Sequence, residues 1–247
     1  EILYAFQAGG FYSPALPPVD VPAGPVAEDL GKLPAVCRWT KTGEDQIAVR
    51  CEVMLNAYLA HSGKELKRLL IAADAMQRAF DLDGAPARAN PRLDANGLAL
   101  LALWRARGLP IVHVRHDSVE PASRFRPGHP GNAFRDGFEP RAGEGLVVKS
   151  VNSAFIGTDL DLRLRRLGAR RVVTFGWATD MCVSTTIRTG ANMGWEMVMV
   201  ADACDCSDLP DVLGGGIIPA AEIHRAHVAT LAADFCRVVG VGDLVDG

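Results

Sequence analysis

The sequence predicts a doubly wound α/β fold: a mainly parallel sheet with helices on both faces, preceded by an irregular N-terminal extension. Three observations lead there. From Leu69 onward, short apolar runs bounded by turn residues alternate with helical patterns. Strands separated by amphipathic helices pair in parallel through right-handed crossovers. A chain of 247 residues, 49% hydrophobic and 22% charged, can bury a core large enough for one such domain without disulfides or metal.

The elements follow in order. Residues 1–67 are set apart as a Pro/Gly-rich arm, because Gly9-Gly10, Pro14, Pro17-Pro18, Pro22 and Pro25 break any periodicity. A short helical stretch is expected within it, around Ala48–Ala60. The domain proper is expected to run over 68–247. Leu69–Ala73 reads as a buried strand. Asn90–Arg107 reads as a helix with Leu93, Leu98, Leu101 and Trp104 on one face and Gly108 as its stop. Pro110–Arg115 and Gly145–Lys149 are the next strands. Thr158–Leu167 is a helix closed by Gly168, Arg171–Gly176 a strand, and Cys182–Met193 a helix ending at Gly194. Glu196–Ala201 is a further strand and Ala220–Cys236 the last helix. Ligands of such sheets sit beyond the carboxyl ends of the strands. That rule selects Asp74, His116-Asp117, Lys149, the 176–182 turn and Asp202.

Composition narrows the function. Net charge is −3, with 26 Lys+Arg against 29 Asp+Glu, so no nucleic-acid partner is signalled. No apolar run reaches the roughly 18–20 residues that span a bilayer, and the N-terminus lacks the ordered features of an export signal. Six cysteines without framework spacing fit reduced thiols, so a cytoplasmic setting is expected. Cys204-Asp205-Cys206 is too tight for a Cys-x-x-Cys redox or zinc unit, and loop cysteines are the plainer reading.

The residues that could carry chemistry begin with Gly176-Trp177-Ala178-Thr179-Asp180-Met181-Cys182. A strand ends at Gly176 and Cys182 is expected to open a helix, with Thr179 or Asp180 as N-cap. A cysteine there would feel the positive end of the helix dipole and favour thiolate. Free backbone N–H groups in the same turn could form an oxyanion hole. No histidine is an obvious base: His113 is mid-strand, His116 and His129 read as loop residues, and His224 and His227 fall on the last helix. Strand-end Asp74 and Lys149 are the groups that can converge on Cys182.

Residues from about 69 to 239 resemble the isochorismatase-like cysteine hydrolases, which include nicotinamidases, carbamoylsarcosine amidohydrolases and ureidoacrylate amidohydrolases. The matching stretches are Leu69–Gln77 with Phe80, Val148-Lys149 followed by Ser153-Ala154-Phe155, Gly176–Val183, and Asp202-Ala203. The resemblance implies a six-stranded, three-layer fold and a catalytic triad falling on Asp74, Lys149 and Cys182. It also implies an oxyanion hole from the N–H of Cys182 and that of a residue near Ala178 or Thr179, a non-proline cis peptide around Trp177–Thr179, and a homo-oligomer, dimer or tetramer. The family usually reads Asp-Met-Gln, whereas this chain reads Asp74-Ala75-Met76-Gln77. Anchoring on the apolar run selects Asp74, with one residue inserted after it as a strand-end bulge. Anchoring on Met76, Gln77 and Phe80 instead puts Ala75 at the acid's position and implies a catalytically silent protein that binds a small ligand or partner.

On the first alignment the resemblance implies cleavage of a C–N bond in a small amide, carbamoyl or ureido substrate through a Cys182 thioester. The nicotinamidase branch holds a metal through an Asp-x-His pair; none follows the first strand here, so neither metal nor other cofactor is expected. Candidate substrate contacts are Trp177 beside the nucleophile, Asn152, Gln77, and the Ser123–Arg135 loop with Arg124, Arg126 and His129.

Overall fold

The computed structural model of the protein describes residues 40–42, 46–48, 69–84 and 87–245. The chain divides into two units, residues 1–57 and 58–247. In the first, β1 (Thr40–Thr42) pairs antiparallel with β2 (Gln46–Ala48), Thr40 opposite Ala48. This ribbon lies inside the arm read as irregular. The helical stretch expected around Ala48–Ala60 lies outside the described residues, except for Ala48, which closes β2.

The second unit is α/β. Its elements are β3 (Leu69–Asp74), α1 (Leu93–Ala106), β4 (Ile111–His116), β5 (Gly145–Lys149), α2 (Leu160–Arg166) and β6 (Arg171–Trp177), then α3 (Ser184–Asn192) and β7 (Glu196–Asp205). A small ribbon follows, β8 (Leu209–Pro210) against β9 (Ile217–Ile218), then α4 (Ala220–Asp234), β10 (Arg237–Val239) and α5 (Gly242–Val245). The main sheet has the order β10-β7-β6-β3-β4-β5, with every neighbouring pair parallel. The chain runs from β3 outward to β5, crosses back to β6, and continues to the other edge. With right-handed crossovers, that reversal puts α1 on one face and α2, α3 and α4 on the other. The reversal point lies between β3 and β6, where such folds open a crevice at the carboxyl ends of the strands.

Local chemistry explains the boundaries. Gly108 ends α1 at φ 62°, and the next N–H, of Leu109, returns to the Trp104 carbonyl, a left-handed glycine stop. Gly168 and Gly194 close α2 and α3 in the same way. Leu100, Leu101 and Trp104 of α1 are buried together with Phe138 and Phe175. Gly97 lets α1 come this close: a Cβ there would lie 2.8 Å from the Phe175 ring and 2.9 Å from that of Phe138.

Several boundaries differ from expectation. β7 was read to Ala201 but continues to Asp205, with its register against β6 jumping from Thr174↔Met199 to Gly176↔Cys204. The side-chain amides of Asn90 and Asn96 hold the Asp202 carbonyl, and Asn90 also holds that of Cys204, which keeps the strand extended past its slip. Asp202 therefore lies inside the strand, its carboxylate accepting the Val241 N–H. β10 was not anticipated: the last helix was read to Cys236, just before it, and three residues starting with arginine carry no strand pattern of their own. Cys204 and Cys206 are both buried, the Cys206 thiol donating to the Ala220 carbonyl. Among the described residues no helix is long and apolar enough to cross a membrane, and no group of three or more His, Cys, Asp or Glu side chains is arranged to hold a metal.

Candidate active site

The sheet register places the site. Asp74 lies opposite Val114 of β4 and Gly176 of β6, and His116 of β4 lies opposite Lys149 of β5. Side chains two apart along a strand share a face, so Asp74, His116 and Lys149 project from one face of the sheet. Gly176 sits at φ 134°, and a Cβ there would fall 2.0 Å from the Asp74 carbonyl oxygen. Only glycine lets β6 approach the end of β3 so closely.

Asp74 and Lys149 form a buried ion pair, Nζ to Oδ1 at 2.6 Å, with both side chains fully excluded from solvent. The ammonium also donates to the Asn152 backbone carbonyl at 2.7 Å. The second carboxylate oxygen accepts from Thr186 Oγ of α3 at 2.8 Å. That hydroxyl in turn accepts the Ala154 N–H at 3.0 Å, tying the Ser153-Ala154-Phe155 segment to the aspartate. Burial alone would lower the Lys149 pKa, but the facing Asp74 carboxylate and then Cys182 override it, so the ammonium is held above its ordinary value.

The residue after Asp74 is where the chain departs from Asp-Met-Gln. β3 ends at Asp74, and Ala75 takes a left-handed conformation, φ 51°, with its N–H on the Val114 carbonyl. The extra residue is absorbed there, and the Asp74 carboxylate meets Lys149.

Cys182 is half-buried. It does not open an α-helix: Thr179–Val183 forms a π-helical turn, and α3 begins at Ser184. Neither Thr179 nor Asp180 acts as a side-chain cap. The Thr179 hydroxyl lies instead 3.2 Å from the Asp205 carbonyl and 2.8 Å from His224 Nδ1. The expectation of a resting thiolate is corrected in the same place. Burial pushes the Cys182 thiol up to about 11 and Asp74 adds to that, while Lys149 and the Ala178 N–H pull it back only in part. Burial thus favours the thiol over the thiolate in the ligand-free site. Its side chain lies 3.9 Å from Asn152 Oδ1.

The peptide between Trp177 and Ala178 is cis. Downstream of it, the Ala178 N–H faces the Cys182 sulfur, and the Ala178 carbonyl accepts from the Met181 and Val183 N–H groups. Trp177 is 9% exposed and stacks on Phe80, ring centroids 4.2 Å apart and planes 19° apart. The Arg88 guanidinium lies over both rings.

The remaining sequence candidates fall elsewhere. Gln77 is fully buried and its amide binds backbone groups of His116 and Asn132. His129 caps a short turn by accepting the Gly131 N–H. Arg124 ties the Leu82 and Asp83 carbonyls, and Arg126 is exposed. None of the hydrogen bonds or ion pairs of Asp74, Lys149 or Cys182 involves these four. Sequence reasoning selected His116 by its place at a strand end but set it aside as a base, and it passed over Thr186 and Asp205. His116 was taken for a loop residue, although it closes β4. Thr186 is a polar residue 1% exposed in a helix, a signal visible only once its neighbours are known. Asp205 is fully buried beyond the strand end expected for β7, and its Oδ1 gathers the N–H groups of Ala89, Asn90 and Cys206.

The isochorismatase domain model matches residues 69–241. The chain belongs to the isochorismatase family. It is 34% identical over 182 residues to the isochorismatase family protein YrdC of Bacillus subtilis, spanning 74% of this chain and 96% of that one. The ureidoacrylate amidohydrolase RutB of Agrobacterium fabrum is 34% identical over 188 residues, 65% of this chain and 79% of its own. Among solved structures, an isochorismatase family protein from Chromobacterium violaceum superposes with a TM-score of 0.69 at 41% identity, covering 74% of this chain and 94% of that one. RutB is a hydrolase by name, and the chain shares the α/β fold of its solved relatives.

Proposed function

We propose that this member of the family hydrolyses a C–N bond of a small amide, carbamoyl or ureido compound, with Cys182 as nucleophile and no metal. The observation that carries the reading is the solvent-excluded Asp74–Lys149 pair beside the Cys182 sulfur. A buried ion pair is a poor source of stability, so its presence next to a nucleophile calls for a chemical role.

The resting thiol sets the order of events. With the substrate carbonyl against the sulfur, Asp74 takes the thiol proton as the C–S bond forms, and Lys149 holds the developing charges in place. The carbonyl oxygen gains its negative charge beside the backbone N–H of Cys182 and that of Ala178 or Thr179. The C–N electron pair collapses onto nitrogen, which takes the proton from Asp74 and leaves as ammonia or an amine. Water then attacks the thioester, giving its proton to Asp74, and returns the thiol. RutB is by name an amidohydrolase acting on a ureido compound, which supports this bond class.

The silent-binder reading loses its motive once Asp74 is seen on Lys149, since the inserted residue leaves the acid in place. Ammonia release from a panel of small amides, N-carbamoyl amino acids and ureido acids tests the proposal. At least one compound should be turned over by the wild type, and Cys182→Ala should lose at least about 10³-fold in kcat. Turnover that survives in Cys182→Ala, or none across the panel, rejects it. We further propose a cytoplasmic homo-oligomer with the small substrate as its other partner.

A further inference from the structure

One buried hydroxyl joins the nucleophile turn to two other elements. Thr179 is fully buried in the π-helical turn that carries Cys182. Its Oγ lies 3.2 Å from the Asp205 carbonyl at the end of β7 and 2.8 Å from His224 Nδ1 of α4. Parallel pairing sets Asp205 beside Trp177, so the first contact is made where β6 ends and the turn begins. Asp205 is itself anchored, its Oδ1 gathering the N–H groups of Ala89, Asn90 and Cys206. The second contact ties the same hydroxyl to α4.

The three groups can share their protons in one way that satisfies both contacts. A hydroxyl gives one proton and accepts others. His224 Nδ1–H therefore donates to Thr179 Oγ, and the hydroxyl donates to the Asp205 carbonyl. Burial lowers the His224 pKa and, together with His227, outweighs the Asp205 carboxylate, so the ring is neutral with one N–H to give. Bonds in such a chain strengthen one another. Water does not reach the fully buried hydroxyl to replace a lost partner, so removal of the imidazole is felt at Thr179.

What Thr179 steadies is the working part of the site. The Ala178 N–H faces the Cys182 sulfur, and the Ala178 carbonyl takes the N–H groups of Met181 at 3.1 Å and Val183 at 3.0 Å, which shape the turn. Thr179 stands directly after Ala178, between these groups and the anchors on β7 and α4. We propose that His224 is a positioning residue: acting through the Thr179 hydroxyl, it holds the π-helical turn in the geometry that sets the Ala178 N–H against the nucleophile. The inference rests on the amidohydrolase reading for its effect on rate, and adds to that reading a residue of α4 that acts at one remove from the sulfur.

The test compares wild type with His224→Leu, His224→Asn, Thr179→Val and the double variant His224→Leu/Thr179→Val. The probes are acetamide, nicotinamide, N-carbamoylglycine and ureidoacrylate. On whichever probe the wild type hydrolyses, His224→Leu should lose about tenfold in kcat with KM within about twofold, because the turn serves the transition state. His224→Asn, whose amide N–H falls near the Nδ1 position, should stay within about threefold. Thr179→Val should lose at least as much as His224→Leu, and adding His224→Leu to it should cost no more than about twofold further. If His224→Leu does not fold, His224→Gln, whose amide reaches toward the Nε2 position instead, takes its place under the same criteria. A kcat within about twofold of wild type overturns the proposal. So does an Asn variant as slow as the Leu variant, or a full tenfold loss repeated in the Thr179→Val background. If the wild type hydrolyses none of the probes, the amidohydrolase reading fails by itself. The positioning role is then read from amide hydrogen exchange of Met181 and Val183. Exchange about tenfold faster in His224→Leu and Thr179→Val but not in His224→Asn supports it, and exchange unchanged in His224→Leu overturns it.

Discussion

Lys149→Met is expected to lose about 3–5 kcal/mol of folding stability together with ammonia release. The lysine and Asp74 side chains are both fully excluded from solvent, and among the described residues the ammonium is the one cation paired with the carboxylate. Removing it leaves a buried charge on the hydrogen bond from the Thr186 hydroxyl. Methionine fills a similar volume, so the loss is electrostatic and not a cavity effect. Asp74→Asn combined with Lys149→Met removes both charges, and exchanging a buried pair for neutral groups is often close to neutral. The double variant should therefore recover most of the stability in urea titration while remaining inactive. A single Lys149→Met within about 1 kcal/mol of wild type would mean that the pair is solvated.

Alkylation of Cys182 should rise with pH well beyond the range of an ordinary reactive cysteine. With the thiol pushed up to about 11 by burial and by Asp74, its ionised fraction at pH 7 is about one part in 10⁴. The iodoacetamide rate should climb about tenfold per pH unit between 7 and 10 and level off only near 11. Lys149→Met removes the main group opposing the rise, so its profile should shift to still higher pH. A wild-type rate that is already flat between pH 6 and 8 would contradict the resting thiol and favour a standing thiolate–lysine pair. The distinction bears on the proposed mechanism, in which a resting thiol loses its proton to Asp74 only when a carbonyl is in place and so resists adventitious alkylation.

Much of the fold was legible because its signals are local. Apolar runs such as Gly145–Lys149 and glycine stops such as Gly108 and Gly168 declare themselves within a few residues. The strands that escaped depend on distant partners. β10 exists because β7 offers Val198–Val200 as an edge, and the last residues of β7 stay extended because Asn90 and Asn96 hold them. The site shows the same division. Asp74, Lys149 and Cys182 stand at strand or turn ends that a pattern reading can find, whereas Thr186, His116 and Asp205 matter through side chains more than thirty residues away. The ionisation of Cys182 was misjudged for a related reason. The helix-dipole argument is local, while desolvation by the packed surroundings is not, and desolvation is the larger effect.

The most direct measurement is the mass of the protein acid-quenched during turnover of a substrate it hydrolyses, followed by mapping of the modified peptide. The account predicts an acyl adduct on Cys182 and none on Cys204, Cys206 or Cys236, absent from Cys182→Ala. Steady turnover with every cysteine unmodified, and the same rate in Cys182→Ala, would contradict it.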